Sequence, residues 1–309
     1  MRRARISLIA VLAAVATGAT VDAGGAGKPS CFGAASRDPQ QPCENPRLLY
    51  TVTPTPREAL DAPNAPCDSV PEDDEPFRCT FGSPTEDASS TVALVGDSHA
   101  THWRSALLTV ASRKRWHGIS ITRSSCPFTR ATPAIPERRA CVDWNSDVLR
   151  FVEARPEIST VVVSQHRGRV VAPEGAPPRD VQKQGYLDAW SALPSTVRHI
   201  FVIRDTPYDR THTGSCIMEA RRRHEELGKV CAIPRRGALK PDPAAGAARL
   251  SADPRVHLVD MTDFFCGPAL CYPVIGGALV HKDSTHMSLA YGLTLGPYLL
   301  RRFDALLGR

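Results

Sequence analysis

Short apolar runs alternating with helix-like segments constrain this 309-residue chain more than any other feature. From about residue 90 onward, strands are predicted over 91–95, 119–122, 160–164, 199–203 and 256–260. Val161-Val162-Val163 and Phe201-Val202-Ile203 carry no polar alternation, the pattern of strands covered on both faces. Helices are predicted over 101–114, 146–154, 181–193, 218–227, 244–251 and 289–307. Strands and helices in this alternation build a parallel sheet between two helical layers. The expected fold class is therefore α/β, a three-layer α/β/α arrangement on a parallel five-stranded sheet. Such sheets carry their sites at the carboxyl ends of the strands. Ser98, Arg123-Ser124, Ser164-Gln165-His166 and Arg204-Asp205 all follow predicted strands, so they are expected on one rim.

The segment before residue 89 reads differently. Arg2, Arg3 and Arg5 precede an apolar run over 6–19 that is shorter than the roughly 20 residues a spanning helix needs. With small residues at Thr17, Ala19, Val21 and Ala23, residues 1–23 read as an export signal peptide. The competing reading is an uncleaved membrane anchor. Residues 24–88 are rich in Pro and Cys, hold no sustained amphipathic period, and include the acidic patch Glu72-Asp73-Asp74-Glu75. This extension reads as a disulfide-tied strap on the main domain, residues 89–309, or as a spacer to another component. No later run is apolar and long enough to span a membrane, so the expected location is secreted or extracytoplasmic envelope.

The ten cysteines fall in close successive pairs. In an exported chain this is a disulfide framework, and neighbour pairing is expected: Cys31–Cys43, Cys67–Cys79, Cys126–Cys141, Cys216–Cys231 and Cys266–Cys271. There is no Cys-x-x-Cys knuckle, which argues against structural zinc. The net charge of +6 is mild, and no basic block is interleaved with aromatics, so nucleic acid is not an expected partner.

The chemistry concentrates at Gly96-Asp97-Ser98-His99, between a β-branched run and a helix. A strand that breaks at glycine and re-enters a helix holds the bend residue at a helix N-terminus, where backbone N–H groups stabilise negative charge. Ser98 is therefore the candidate nucleophile, against the plainer role of helix cap. A serine needs a base, usually a histidine oriented by a carboxylate. His286, in Asp283-Ser284-Thr285-His286 just ahead of the last helix, has the best context, with Asp283 to orient it. His99 and His102 are read as packing or hydrogen-bonding near the nucleophile. No second His/Asp cluster completes a metal site. Asp97 is read as structural, Arg204-Asp205 as a rim ion pair in preference to a substrate contact, Trp103 and Trp144 as core or pocket wall, and His281 as exposed. No cofactor is implied.

Together, Gly-Asp-Ser-His early, Asp-x-x-His before the final helix and the strand pattern between them resemble the SGNH (GDSL) hydrolase superfamily. The resemblance is greater to the SGNH domain associated with membrane O-acyltransferases of envelope polysaccharides. Val95–Trp103, Ser125-Cys126-Pro127, Cys141 with Trp144, Arg204-Asp205-Thr206-Pro207, and Asp263-Phe264-Phe265-Cys266 leading to Cys271 carry it. It implies a flavodoxin-like SGNH fold over about 90–305, Ser98 as nucleophile, His286 as general base and then acid, and Asp283 as its orienting group. It also implies the Ser98 N–H as one oxyanion donor. The superfamily's Gly and Asn donors are missing here. The matching strand ends leave the Ser124 N–H and the Gln165 or His166 side chain as candidate oxyanion or substrate contacts.

The expected function is an exported serine esterase or O-acyltransferase, with acetyl as the acyl group by family analogy. It would act on acylated carbohydrate of the cell envelope through a Ser98 acyl-enzyme. A membrane acyltransferase is an expected acyl-donor partner. Resemblance tilts toward transfer, and the absence of a multi-span domain from the sequence tilts back toward hydrolysis. The alternative is a non-catalytic glycan-binding or partner module of a membrane acyltransferase.

Overall fold

The computed structural model describes residues 29–69, 76 and 79–308. The expected signal peptide and the acidic patch at residues 72–75 lie outside them. In chain order the elements are α1 (Pro56–Asp61), β1 (Asp68–Ser69), β2 (Cys79–Gly82), β3 (Ser90–Gly96), α2 (Ser98–Lys114), β4 (Trp116–Thr122), α3 (Arg138–Glu153), β5 (Ile158–Ser164), α4 (Pro178–Ser191) and β6 (His199–Ile203). They continue with α5 (Thr213–Arg222), α6 (Leu227–Val230), β7 (Ile233–Pro234), α7 (Arg235–Ala238), α8 (Pro243–Leu250), β8 (Val256–Val259), β9 (Leu270–Cys271), β10 (Val274–Ile275), β11 (Ala278–Leu279) and α9 (Leu289–Leu306).

The main sheet runs β1-β2-β4-β3-β5-β6-β8. The neighbours among β4, β3, β5, β6 and β8 all pair in parallel. These are the five predicted strands, in the doubly wound order, in which the direction of strand addition reverses between β3 and β5. Successive side chains of a strand face opposite layers. Val92 and Leu94 of β3 and Val162 of β5 thus join a core with Trp103, Leu107, Leu295, Leu299 and Phe303 of α2 and α9. Ala93, Val95, Val161 and Val163 join the opposite core with Trp144, Tyr186, Trp190 and Ala247 of α3, α4 and α8. The uninterrupted apolar strands are explained by these two covered faces. Trp103 and Trp144 are core residues.

The extension alters the expected sheet. β2 pairs antiparallel with β4, and β1 antiparallel with β2, so two short strands from before residue 89 cover an edge that would otherwise be open. The strap docks on the core. Arg104 of α2 is buried and donates to Ala65 O through Nε at 3.1 Å and Nη2 at 2.7 Å, and to Ser120 Oγ at 3.2 Å. Arg301 of α9 grips Asp38 with both terminal nitrogens. All five neighbouring cysteine pairs are bonded in the structure. Cys67–Cys79 ties the two added strands together, and Cys126–Cys141 ties the segment after β4 to α3. Among the described residues no helix is long and apolar enough to cross a membrane.

Gly96 ends β3 at a close approach to β5. It pairs with Thr122 on one side and Ser164 on the other. Its φ is +146°, and a Cβ there would stand 2.0 Å from the Ser164 carbonyl oxygen. Backbone conformation and space both require glycine. Gly96→Ala is expected to lower the unfolding free energy by more than about 2 kcal/mol, measured by urea denaturation. An unchanged midpoint would contradict the close approach of the two strand ends.

Candidate active site

Asp97 follows Gly96 and caps α2. Its carboxylate Oδ1 accepts the His99 N–H at 2.8 Å, and its two oxygens accept the His166 N–H at 3.1 and 2.9 Å. One buried side chain therefore fixes the start of α2 and joins it to the residue that follows the end of β5. Burial pushes the Asp97 carboxyl up, while His99 and the backbone donors pull the other way. The Ala100 and Thr101 N–H groups bond to Asp97 O. Ser98 is the first residue of α2, and its N–H has no hydrogen-bond partner among the described residues. It remains as a helix N-terminal donor.

Asp283 and His286 sit on a closed loop ahead of α9. Lys282 N donates to His286 O at 2.9 Å, and Ser288 N to Val280 O at 2.8 Å. Ser288 then caps α9 by accepting the Tyr291 N–H. Inside the loop, Asp283 Oδ1 accepts the N–H groups of Thr285 and His286 at 2.9 and 2.8 Å. Its other oxygen lies 2.8 Å from His286 Nδ1. The carboxylate thus assigns the ring proton to Nδ1 and leaves Nε2 to accept. Nε2 lies 2.8 Å from Ser98 Oγ, across 188 residues of sequence. Burial works against charge on Asp283, but the His286 side chain and the two backbone donors outweigh it. They hold the carboxyl well below the usual carboxylate range. The Gly276-Gly277 pair, with φ of +50° and +72°, forms the two-residue turn of the β10–β11 hairpin that leads into this loop.

Three more imidazoles surround this pair. The His99 ring lies 4.9 to 5.0 Å from those of His102, His166 and His286. His99 Nδ1 is 2.6 Å from Asp205 Oδ1, both groups buried. Burial opposes charge on His99, yet Asp205 and Asp97 overcome it and raise its pKa above the ordinary imidazole value. Asp205 is held in turn, its N–H donating to Asp242 Oδ2 at 2.8 Å. Asp205 therefore pairs with His99. The expected Arg204–Asp205 ion pair is corrected: Arg204 reaches Asp260 at 2.9 Å, because adjacent side chains leaving a strand point to opposite sides. His102 Nδ1 accepts the Met287 N–H at 3.3 Å and so braces the histidine loop; burial drives its pKa well below the ordinary value. His281, expected to be exposed, is buried, because it pairs backbone to backbone with Met287 across the neck of the loop. Among the described residues no group of three His, Cys, Asp or Glu side chains is placed to hold a metal ion.

A cleft of about 340 Å³ opens over Ser98 and His286, bounded by Ser125, Pro127, His166 and Arg169 among others. A larger cavity of about 450 Å³ lies between the strap and the β10–β11 hairpin. It is not lined by Ser98 or His286, so the smaller cleft is the candidate site. Of the three oxyanion candidates, only His166 lines that cleft. Gln165 is turned inward, its Oε1 accepting the Phe128 N–H at 3.3 Å. Ser124 lies outside the cleft lining, and Ser125 takes the place expected of it. The turn closed by Cys126 N and Arg123 O puts Ser125 at φ +61°, a position that favours glycine. Tyr208, which sequence reading passed over, bonds its hydroxyl to His166 Nε2. Its only sequence signal was its place beside Arg204-Asp205-Thr206-Pro207.

Comparison with known proteins follows the same outline. The family model described as an SGNH domain, fused to AT3 domains, matches residues 66–301. Among solved structures, the chain is similar to the periplasmic domain of a Salmonella ser. Paratyphi A lipopolysaccharide acetyltransferase. The TM-score is 0.56 at 10% sequence identity, covering 82% of this chain and 94% of that one. A comparison with curated proteins gave no match. At that identity the structural likeness speaks for the fold, while the family match spans most of the chain and takes in both β1 and the Ser98 and His286 segments. The chain belongs to the family of SGNH domains that occur fused to AT3 domains.

Proposed function

We propose that the protein is an exported serine enzyme that moves acyl groups, acetyl foremost, on cell-envelope carbohydrate. The observation that carries this reading is the linear run Ser98 Oγ, His286 Nε2, His286 Nδ1, Asp283 Oδ2, with 2.8 Å at each contact between residues. Ser98 Oγ attacks the acyl carbonyl while its proton passes to His286 Nε2. Asp283 stabilises the imidazolium that forms, and the oxyanion collects at the start of α2. Collapse returns the proton to the leaving alcohol and leaves an ester on Ser98. A second alcohol or water, deprotonated by His286, then takes the acyl group.

The family's association with AT3 domains supports transfer to a sugar hydroxyl, with a membrane acyltransferase as donor. The acetyltransferase title of the structural neighbour agrees in chemistry. The five disulfides, and the periplasmic origin of that neighbour, support a place outside the cytoplasm. His286 and Asp283 side chains are 28% and 38% exposed, so an acceptor can reach the base without the loop opening.

The test is turnover of p-nitrophenyl acetate and of O-acetylated glycan by mature protein. Ser98→Ala and His286→Ala are each expected to lower kcat by roughly 10⁴-fold or more, and Asp283→Asn by up to roughly 10⁴-fold. A wild type inert toward every ester and acyl donor would point instead to a glycan-binding module.

The pH profile gives a separate check. A general base must be unprotonated to take the Ser98 proton, so kcat/KM is expected to fall toward acid. Asp283 is held well below the usual carboxylate range and adds no second proton to that limb. The acid limb is expected to have a slope of one on logarithmic axes. A slope of two would mean that the dyad titrates together.

A further inference from the structure

His166 occupies the cleft at the point where strand order reverses in the sheet, and three contacts fix it. Its N–H is clamped by the Asp97 carboxylate, one residue from the nucleophile. Its Nε2 is bonded to the Tyr208 hydroxyl. Its ring lies 4.9 Å from that of His99. Tyr208 is itself immobilised. The Arg167 guanidinium carbon lies 3.3 Å from the centre of its ring, and Tyr208 N donates to Ala238 O at 3.0 Å. The next residue, Asp209, donates its N–H to Ser284 O at 2.9 Å, inside the His286 loop.

The proton count on this pair is constrained. Burial and the nearby His99 bring the His166 pKa down to about 4, so near neutral pH the ring carries one proton. Burial, and then Asp205, push the Tyr208 phenol up, so it keeps its proton. Among the described residues the phenol's sole hydrogen-bond partner is His166 Nε2. If Nε2 carried the ring proton, the phenol proton would have no acceptor among the described residues. The phenol therefore donates to Nε2, and the ring proton sits on Nδ1. Nδ1 has no partner among the described residues.

We infer that His166 Nδ1–H, with the Ser98 N–H, forms the oxyanion hole, and that Tyr208 is the positioning residue that keeps the His166 proton on Nδ1. This rests on the Ser98 reading above and deepens it. When Ser98 Oγ bonds to the acyl carbon, the C=O π pair moves onto oxygen, and the Ser98 proton moves to His286. His166 donates a hydrogen bond to that oxygen and transfers no proton. A neutral imidazole N–H here takes the part of a side-chain amide donor, since the amide that follows β5, Gln165, is turned inward to Phe128. It also explains why a histidine so close to the nucleophile is kept from acting as a base: its lone-pair nitrogen is capped by the phenol.

The test is phosphonylation of Ser98 by an alkyl phosphonofluoridate, whose tetrahedral P–O group mimics the oxyanion, with ¹⁵N NMR of the histidines. Wild type is expected to label on Ser98 and to show His166 protonated on Nδ1. The His166→Ala labelling rate is expected to fall about 10²-fold, the scale for losing one such donor. His166→Asn, which restores an N–H, recovers part of that loss. Tyr208→Phe is expected to spread the His166 proton over both nitrogens and to label at a rate between wild type and His166→Ala. Adding it to His166→Ala is expected to cost nothing further. No labelling of wild type on Ser98 overturns the serine reading and this inference with it. Labelling on Ser98 at equal rates in wild type and His166→Ala overturns the oxyanion role alone. A wild-type His166 protonated on Nε2 overturns both parts, because Nδ1 then has no proton to donate; a His166 tautomer unchanged by Tyr208→Phe overturns the part given to Tyr208.

Discussion

The carboxylate of Asp97 is the interaction on which the rest of the site depends. It caps α2 through the His99 N–H and takes the His166 N–H with both oxygens. The ends of β3 and β5, which the sheet brings together, are thereby held in fixed register beside Ser98. A buried carboxylate is costly unless its oxygens are satisfied, and here backbone donors satisfy them. Gly96 makes the arrangement possible by letting β3 pass the Ser164 carbonyl at a distance no side chain permits. Ser98, the proposed nucleophile, is thus held at the helix start with its N–H left over.

Everything else at the site is arranged against that anchor. The histidine loop is closed on itself by backbone bonds and braced from below by His102. The loop after β6 reaches the same place from the other side: Thr206 Oγ1 donates to Thr285 O, Asp205 holds His99, and Tyr208 holds His166. Two His–Asp pairs therefore lie within one cluster. Asp283–His286 is partly exposed and faces Ser98, while His99–Asp205 is buried. The difference in burial separates them: the first pair is open to the cleft beside Ser98, and the second is enclosed behind it.

Much of this was legible in the sequence, for physical reasons. The five parallel strands could be read because both faces are covered, which leaves an unbroken apolar signature. Their starts were read two or three residues late at Trp116 and Ile158, where aromatic or polar neighbours dilute the run. The start of α3 at Arg138 was missed by a full two turns, because its first residues are charged and exposed. Ser98, Asp283 and His286 stood out because loop chemistry is local: a glycine bend and an Asp-x-x-His turn each fit in a few residues. What distance in sequence hides is pairing. The strands β1 and β2 were read as strap, since two and four residues carry no period. Arg104 gave no sign that it would hold Ala65. Asp205 beside Arg204 looked like an ion pair, yet its partner lies 106 residues away.

The central claim is that Ser98 carries the acyl group. It is tested most directly by rapid acid quench of the protein turning over an acetyl ester, followed by peptide mass mapping. The account predicts an acetyl group on the peptide that contains Ser98, absent from Ser98→Ala and lost on standing as the ester is consumed. Turnover that continues with no acetylated Ser98, or with the acetyl group on a histidine instead, would contradict it.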